Sequence, residues 1–157
     1  MDDVELRIAR LEAESEIRKL KARYLNACDA KNVDAIRACF VPDAKLVFPP
    51  IGEFGVDGLI EVFTQMAAET PIVDTHHGHN AEIDIAGDAK SASARWNLGF
   101  ATYDPRNKSF RLLSNFYTDR YALTEDGWRI TYSESHPRSI VDGVLGDDAV
   151  TAGWVDA

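Results

Sequence analysis

The sequence predicts a single α+β domain in which helices cover one face of a curved antiparallel sheet. The chain has 157 residues, of which 45% are hydrophobic. Segments with helical periodicity come first, and segments that alternate apolar and polar residues follow. A chain of this length is close to the usual size of one domain. Helices gathered before a run of strands are typical of the α+β class.

The first half of the chain is predicted to be mainly helical. Residues 4–30 repeat apolar side chains at helical spacing without proline or glycine. Asn32 is suited to cap a second helix, which reaches Cys39 before Pro42 prevents its continuation. Helical spacing returns in a third segment. The predicted helices are residues 4–30, 32–39 and 58–70, with a short strand at 45–48.

Four alternating segments after Pro71 predict a meander of strands joined by tight turns. These strands are residues 75–85, 91–103, 109–123 and 128–135. Long strands must curl, and a curved sheet around a helix leaves an open mouth where small ligands bind. We therefore expect a domain over residues 1–137 and a tail over residues 138–157, which could act as a pocket lid.

Composition disfavours several classes of partner. The formal net charge is -9, from 26 acidic and 17 basic residues, and this charge repels nucleic acid and anionic membranes. No apolar run is long enough for a membrane span or a secretory signal. Cys28 and Cys39 lack metal-type spacing and are expected to be reduced. We expect a cytoplasmic protein.

Residues 74–80 contain three of the four histidines, which makes this segment the strongest chemical signal. Neutral imidazole is well suited to act as a general base near neutral pH. A metal site built on His76, His77 and His79 is the weaker alternative, because successive strand residues face opposite ways and only His77 and His79 would share a face. We therefore predict no metal.

A histidine base needs a partner that fixes its tautomer. Asp29 ends the first predicted helix, where the helix dipole disfavours a carboxylate, so helix stability does not explain its presence. Tyr24 lies on the apolar stripe of that helix and could donate a hydrogen bond to a carbonyl. The alternatives are a solvated turn aspartate and an ordinary core tyrosine.

The order of several motifs resembles one known family. They are Tyr24-x-x-x-x-Asp29, residues 34–44, the strand start from Thr75 to Asn80, and residues 126–130. Together they resemble the SnoaL-like branch of the nuclear-transport-factor-2-like superfamily, up to about residue 136. The resemblance implies a cone-shaped, cystatin-like barrel around the long helix, commonly a dimer or trimer, that houses cofactor-free dehydratases, isomerases, cyclases and dehydrochlorinases.

The resemblance also implies roles for three residues. His76 matches the general base, Asp29 its partner, and Tyr24 the phenol that activates a carbonyl in the scytalone-dehydratase and bile-acid-dehydratase type. The dehydrochlorinases have a lysine at the position of Tyr24 and an arginine at that of Ser133, so their pattern fits less well. Strand alternation from Ala81 onward would place His77, not His76, on the apolar face. A bulge near Gly78 would reconcile the two.

The preferred interpretation is a cofactor-independent lyase or isomerase that acts on a small cyclic or polyketide-like carbonyl compound. The alternative is a non-catalytic module of the same fold that binds a ligand or assembles with another subunit. Further side chains are predicted to line the pocket or its rim. They are Phe48, Phe54, His77, Trp96, Phe100, Phe116 and Tyr132.

Overall fold

The computed structural model describes residues 3–146 and residue 149. Three α-helices precede the four longest strands, as the sequence predicts. The helices are α1 (Asp3–Asp29), α2 (Val33–Arg37) and α3 (Val56–Phe63), and α3 continues into a π-helical turn at Thr64–Ala68. The strands are β1 (Phe40–Phe48), β2 (Gly52–Phe54), β3 (Val73–Ile85), β4 (Ser91–Asp104), β5 (Ser109–Thr124) and β6 (Gly127–Val144).

The strands form one curved, open sheet in the order β2-β1-β6-β5-β4-β3. Strands β3 to β6 form the predicted antiparallel meander, whereas β1 pairs with β6 in parallel. The long helix α1 packs against β3 and β6. We call the side of the sheet that faces α1 the inner face. The α+β class and the long N-terminal helix are therefore confirmed.

Several boundaries differ from the prediction. Pro42 does not end regular structure but lies within β1, where the pairing with β6 shifts register between Phe40 and Lys45; proline is tolerated in a strand at such irregularities. Strand β6 extends to Val144, so the predicted tail begins later than residue 138. The rest of that tail, residues 147–157 apart from Ala149, lies outside the described residues.

The orientation of the histidine segment is set by a bulge in β3. Pairing with β4 is regular from Val73 to His79 and resumes at Glu82, so one extra residue is inserted between them. Asn80 lies at the bulge with φ of 52°, a left-handed conformation that asparagine adopts more readily than most residues. The bulge reverses the alternation of side chains. As a result, His76 and Ile83 both face inward although one is even-numbered and the other odd-numbered.

A buried ion pair joins the middle of α1 to β5. Lys21 Nζ lies 2.8 Å from Asp119 Oδ2, and both side chains are almost fully buried. Asp119 also accepts hydrogen bonds from Tyr121 and Ser133, at 2.8 Å and 2.7 Å. The Lys21 ammonium group lies 3.8 Å from the centroid of the Tyr117 ring. These partners satisfy charges that would otherwise be costly inside a protein.

We predict that Lys21→Met destabilises the fold by about 3–5 kcal/mol, because it leaves the Asp119 carboxylate buried without its cation. Urea denaturation measures this change in the free energy of unfolding. The matched control is Lys19→Met, since Lys19 is an exposed lysine paired with Glu16 on the same helix; its expected effect is below ~1 kcal/mol. Equal losses in the two variants would contradict the prediction.

Candidate active site

The C-terminal half of α1 lies directly against the edge strand β3. A Cβ atom at Gly78 would lie 2.8 Å from Leu25 Cδ1, closer than real Cβ contacts, so glycine permits this close approach. Asp29 lies one helical turn beyond Leu25 and therefore on the same face of the helix. The contact thus brings Asp29 next to His76, two positions before Gly78 on the inner face.

Asp29 and His76 form a hydrogen-bonded pair. His76 Nδ1 lies 2.6 Å from Asp29 Oδ1. The main-chain N–H of His76 also donates to both carboxylate oxygens, at 3.1 Å and 3.2 Å. An ionised carboxylate only accepts hydrogen bonds, so in the neutral ring Nδ1 carries the proton and Nε2 keeps its lone pair. This arrangement leaves Nε2 able to accept a proton.

The pair is partly sheltered from water. The side-chain exposure is 14% for His76 and 28% for Asp29. The His76 ring lies 4.5 Å from the ring of Phe100, its partner on β4. Among the described residues, no hydrogen bond to His76 Nε2 is found. Asp29 therefore binds Nδ1 of the imidazole, and the Phe100 ring packs against the His76 ring. Within the described residues, Nε2 has no hydrogen-bond partner.

Tyr24 is buried on a different side of α1 from Asp29. Its ring packs edge-on against Phe40 of β1, at a centroid distance of 5.3 Å. Desolvation by burial raises the pKa of the Tyr24 phenol well above its ordinary value, and the neighbouring Cys28 raises it further. The phenol is therefore neutral at working pH and able to donate a hydrogen bond. No described hydrogen bond links Tyr24 to Asp29 or His76, so its catalytic role stays a prediction.

The predicted lining aromatics divide between the two faces of the sheet. Phe48, Trp96 and Phe100 face inward. Trp96 donates to the hydroxyl of Tyr121 at 3.0 Å, and Phe48 contacts Tyr117 edge-on. Phe54 lies on the edge strand β2, opposite Leu46 of β1. Phe54 and Phe100 are only partly buried, which is compatible with rim positions.

His77, Phe116 and Tyr132 do not share the inner face with His76, so the structure does not bring these three predicted lining residues to the histidine pair. His77 is exposed and directly follows His76 in a regular part of β3, so it points the opposite way. Phe116 stacks on His136 with a centroid distance of 4.4 Å, and the Tyr132 hydroxyl donates to Glu134. Both belong to the outer face.

The sequence reasoning missed four charged residues close to the site. Lys21 and Asp119 form the buried ion pair, and Lys31 Nζ is ion-paired with Asp74. A signal existed for Lys21, since it lies on the apolar stripe of α1. A signal also existed for Asp119, which alternates with Asn115, Tyr117 and Tyr121 along β5. Lone charges on apolar faces predict buried partners.

Two hollows on the surface lie away from the histidine pair. One, of about 540 Å³, includes Ile85, Arg120 and Thr131 in its lining. The other, of about 530 Å³, includes Thr102 and Arg111 near the far end of the sheet. Neither is lined by His76 or Asp29. Across residues 3–146, no group of three or more His, Cys, Asp or Glu side chains is arranged to hold a metal ion, and no helix could span a membrane.

Comparison with known families now identifies the group to which the chain belongs. The SnoaL-like domain matches residues 9–134, which is most of the chain. The chain belongs to the SnoaL-like family. An uncharacterized Mycobacterium tuberculosis protein, Rv2910c, is 28% identical to this SnoaL-like domain over 135 residues, covering 83% of this chain and 88% of that protein.

Solved structures share the fold of this SnoaL-like domain at low sequence identity. LinA, a hexachlorocyclohexane dehydrochlorinase, has a TM-score of 0.82 and 15% identity, covering 94% of this chain and 99% of that one. A candidate scytalone dehydratase from Novosphingobium aromaticivorans has a TM-score of 0.76 and 18% identity, covering 91% and 93%. These likenesses show that the chain shares the fold of those proteins.

We predict that Asp29→Ala releases the His76 ring from a single tautomer, because the carboxylate that accepts from Nδ1 is removed. Long-range ¹H–¹⁵N NMR spectra of the neutral ring measure the tautomer directly. Wild-type His76 should show Nδ1–H alone, and the variant should show a mixture. His77 is exposed and serves as the internal control, with no change expected. An unchanged His76 spectrum would show that Asp29 does not set the tautomer.

We also predict that both cysteines resist thiol reagents while the protein is folded. Burial raises the pKa of Cys28 from the ordinary 9.0 to about 12, and desolvation also raises that of Cys39. For Cys28 this lowers the reactive thiolate fraction near pH 8 about a thousandfold. Reaction with Ellman's reagent should therefore be slow in the native protein and rapid in urea. Fast native labelling of one thiol would contradict the burial described here.

Proposed function

We propose that this SnoaL-like protein is a cofactor-independent lyase or isomerase that removes a proton next to a carbonyl group of a small cyclic or polyketide-like compound. The observation that supports it best is the 2.6 Å contact between His76 Nδ1 and Asp29, which leaves Nε2 as the basic atom. As the family resemblance implies, the proposal includes no metal or organic cofactor, and the protein forms a homodimer or homotrimer. A cytoplasmic location is proposed from the composition.

The proposed reaction begins when His76 Nε2 takes the proton from the carbon next to the carbonyl. Asp29 stabilises the imidazolium that forms, because its carboxylate already accepts from Nδ1. The electron pair of the broken C–H bond moves into an enolate. By the family resemblance, the neutral phenol of Tyr24 stabilises this enolate by hydrogen bonding, directly or through water. In a dehydration the enolate expels a hydroxyl group, which leaves as water after receiving the proton from His76.

Two names among the similar structures agree with this reaction class. LinA is a dehydrochlorinase, and the Novosphingobium aromaticivorans protein is a candidate scytalone dehydratase. Both names describe elimination of a leaving group. By the family resemblance, Tyr24 and Ser133 stand where the dehydrochlorinases have a lysine and an arginine, so we propose loss of water in preference to loss of halide.

One observation favours the alternative, a ligand-binding or assembly module. Neither of the two hollows described above includes His76 or Asp29 in its lining. Such a module would bind a cyclic ligand or a subunit without proton transfer. Measuring proton exchange and ligand binding on the same samples separates the two functions.

We predict that the wild-type protein catalyses exchange of the α-protons of cyclic ketones in D₂O, and that His76→Ala slows this exchange at least ~100-fold, as expected for loss of a general base. ¹H NMR measures the loss of α-proton signal across a panel of tetralones and cyclohexanones. Circular dichroism should show that the variant remains folded, since the His76 side chain is not part of the apolar core.

The matched control is His77→Ala, which removes the same kind of side chain from the outer face one residue away. This variant should exchange α-protons at the wild-type rate. If His76→Ala also keeps the wild-type rate, His76 is not the base. Binding of the ketones by the wild-type protein without exchange would instead support the module.

A further inference from the structure

Two neighbouring polar side chains near the histidine pair have buried atoms without hydrogen-bond partners. Asp74 on β3 and Thr102 on β4 are directly paired in the sheet, so their side chains lie side by side on the inner face. Within the described part of the chain, Asp74 Oδ1 and Thr102 Oγ1 are buried and form no hydrogen bond. Buried polar atoms are normally satisfied, so a missing partner is indicated.

The hydrogen-bonding chemistry of this pair fits a hydroxyl group. The other oxygen of Asp74 is ion-paired with Lys31, which compensates the negative charge and leaves Oδ1 as an acceptor. The Asp74 side chain is only 4% exposed. The Thr102 hydroxyl can both donate and accept. A partner that donates to Asp74 and accepts from Thr102 would satisfy both atoms, and an alcohol group does this.

The pair lies next to the proposed base. His76 pairs with Phe100, and Asp74 pairs with Thr102, so these are successive positions on the inner face of the same two strands. Successive same-face positions are about 7 Å apart along a strand. A ring compound of one or two rings can span this distance, with its reacting carbon at His76 and a hydroxyl group at the Asp74–Thr102 pair.

An approach to the pair exists from the far end of the sheet. Thr102 contributes to the hollow of about 530 Å³, whose lining also includes Asp104, Arg111 and Asp142. The charges in this hollow are already paired. Arg111 binds Asp142 with an Nε–Oδ1 distance of 2.7 Å, and Asp104 binds Arg106 at 2.6 Å. A neutral ligand suits such a lining better than a carboxylate or a phosphate.

We propose that Asp74 and Thr102 form a subsite that recognises a hydroxyl group of a neutral cyclic ketone. Because both atoms are enclosed in the structure, the hydroxyl group reaches them from the hollow after a change of the Thr102 rotamer. The inference rests on the proposed function for the position of the reacting carbon. It narrows the substrate class to hydroxylated ketones and disfavours rings without a hydroxyl group.

The test compares 1-tetralone with a set of tetralones that each carry one aliphatic hydroxyl group at a different position. Dissociation constants are measured by NMR titration with the wild-type protein and with Thr102→Val, which replaces the hydroxyl by a methyl group of similar size. At least one hydroxytetralone should bind the wild-type protein ~5- to 10-fold more tightly than 1-tetralone. In Thr102→Val this ratio should fall to about 1.

Two control variants accompany the test. Thr102→Ser keeps the hydroxyl group and should keep the preference. Thr75→Val makes the same exchange on the exposed outer face, beside Asp74 in the chain, and should also keep it. The inference is overturned if the wild-type protein shows no preference for any hydroxytetralone, which would mean that only water occupies the pair, or if Thr102→Val keeps the preference.

The same titrations with His76→Ala distinguish this inference from the proposed function. Loss of a proton acceptor should not remove the hydroxyl preference, because Asp74 and Thr102 remain in place. A preference that persists while α-proton exchange is independent of His76 would refute the base and retain the subsite. Exchange that depends on His76 without any hydroxyl preference would refute the subsite and retain the base.

Discussion

The attachment of the last turns of α1 to the edge strand β3 is the constraint on which the candidate site depends. Edge strands carry main-chain groups without a neighbouring strand, and in β3 the N–H of His76 is satisfied by the Asp29 carboxylate. The same carboxylate holds the His76 ring. One side chain therefore closes the edge of the sheet and orients the imidazole, so that the chemistry of the site and its local stability are not separable at Asp29.

The position of α1 is fixed by contacts spaced along one of its faces. Lys21, Leu25 and Asp29 are four residues apart, a spacing that places them on the same side of a helix. Lys21 binds Asp119 on β5, Leu25 lies over Gly78, and Asp29 binds His76. The buried ion pair between Lys21 and Asp119 can form in only a few orientations of α1. Leu25 can lie this close to β3 only over Gly78, which has no side chain. Together they restrict both rotation and sliding of the helix, and this restriction keeps the carboxylate at the histidine.

The sequence predicted those features that depend on local signals. Helix α1 follows from uninterrupted apolar spacing, and Asn32 caps α2 by accepting from the N–H of Ala35 at 3.0 Å. A bulge in β3 was also predictable, because the family resemblance and strand alternation disagreed about His76. Its position was not, since glycine usually marks such a site, whereas here Gly78 provides room for Leu25 and Asn80 adopts the left-handed conformation.

Local sequence signals could not predict features that depend on contacts between elements far apart in the sequence. Strand β5 carries aromatic residues at both parities, Phe116 beside Tyr117, so alternation alone does not show which one faces inward. The choice is made by register with β4, where Tyr117 meets Trp96 on the inner face. Alternation along β5 indicates that Asp119 is buried, but it does not identify its partner, because Lys21 lies on a helix 98 positions away in the sequence.

Helix geometry also separates Tyr24 from the histidine pair. Five residues along a helix correspond to a rotation of about 140°, so Tyr24 and Asp29 project from different sides of α1. Tyr24 accordingly meets Phe40 on β1, whereas Asp29 meets β3. The cations nearest the site already have carboxylate partners, Lys21 with Asp119 and Lys31 with Asp74. Negative charge that develops on a substrate here would therefore be stabilised by neutral hydrogen-bond donors and by the His76 imidazolium, since these lysines are already paired.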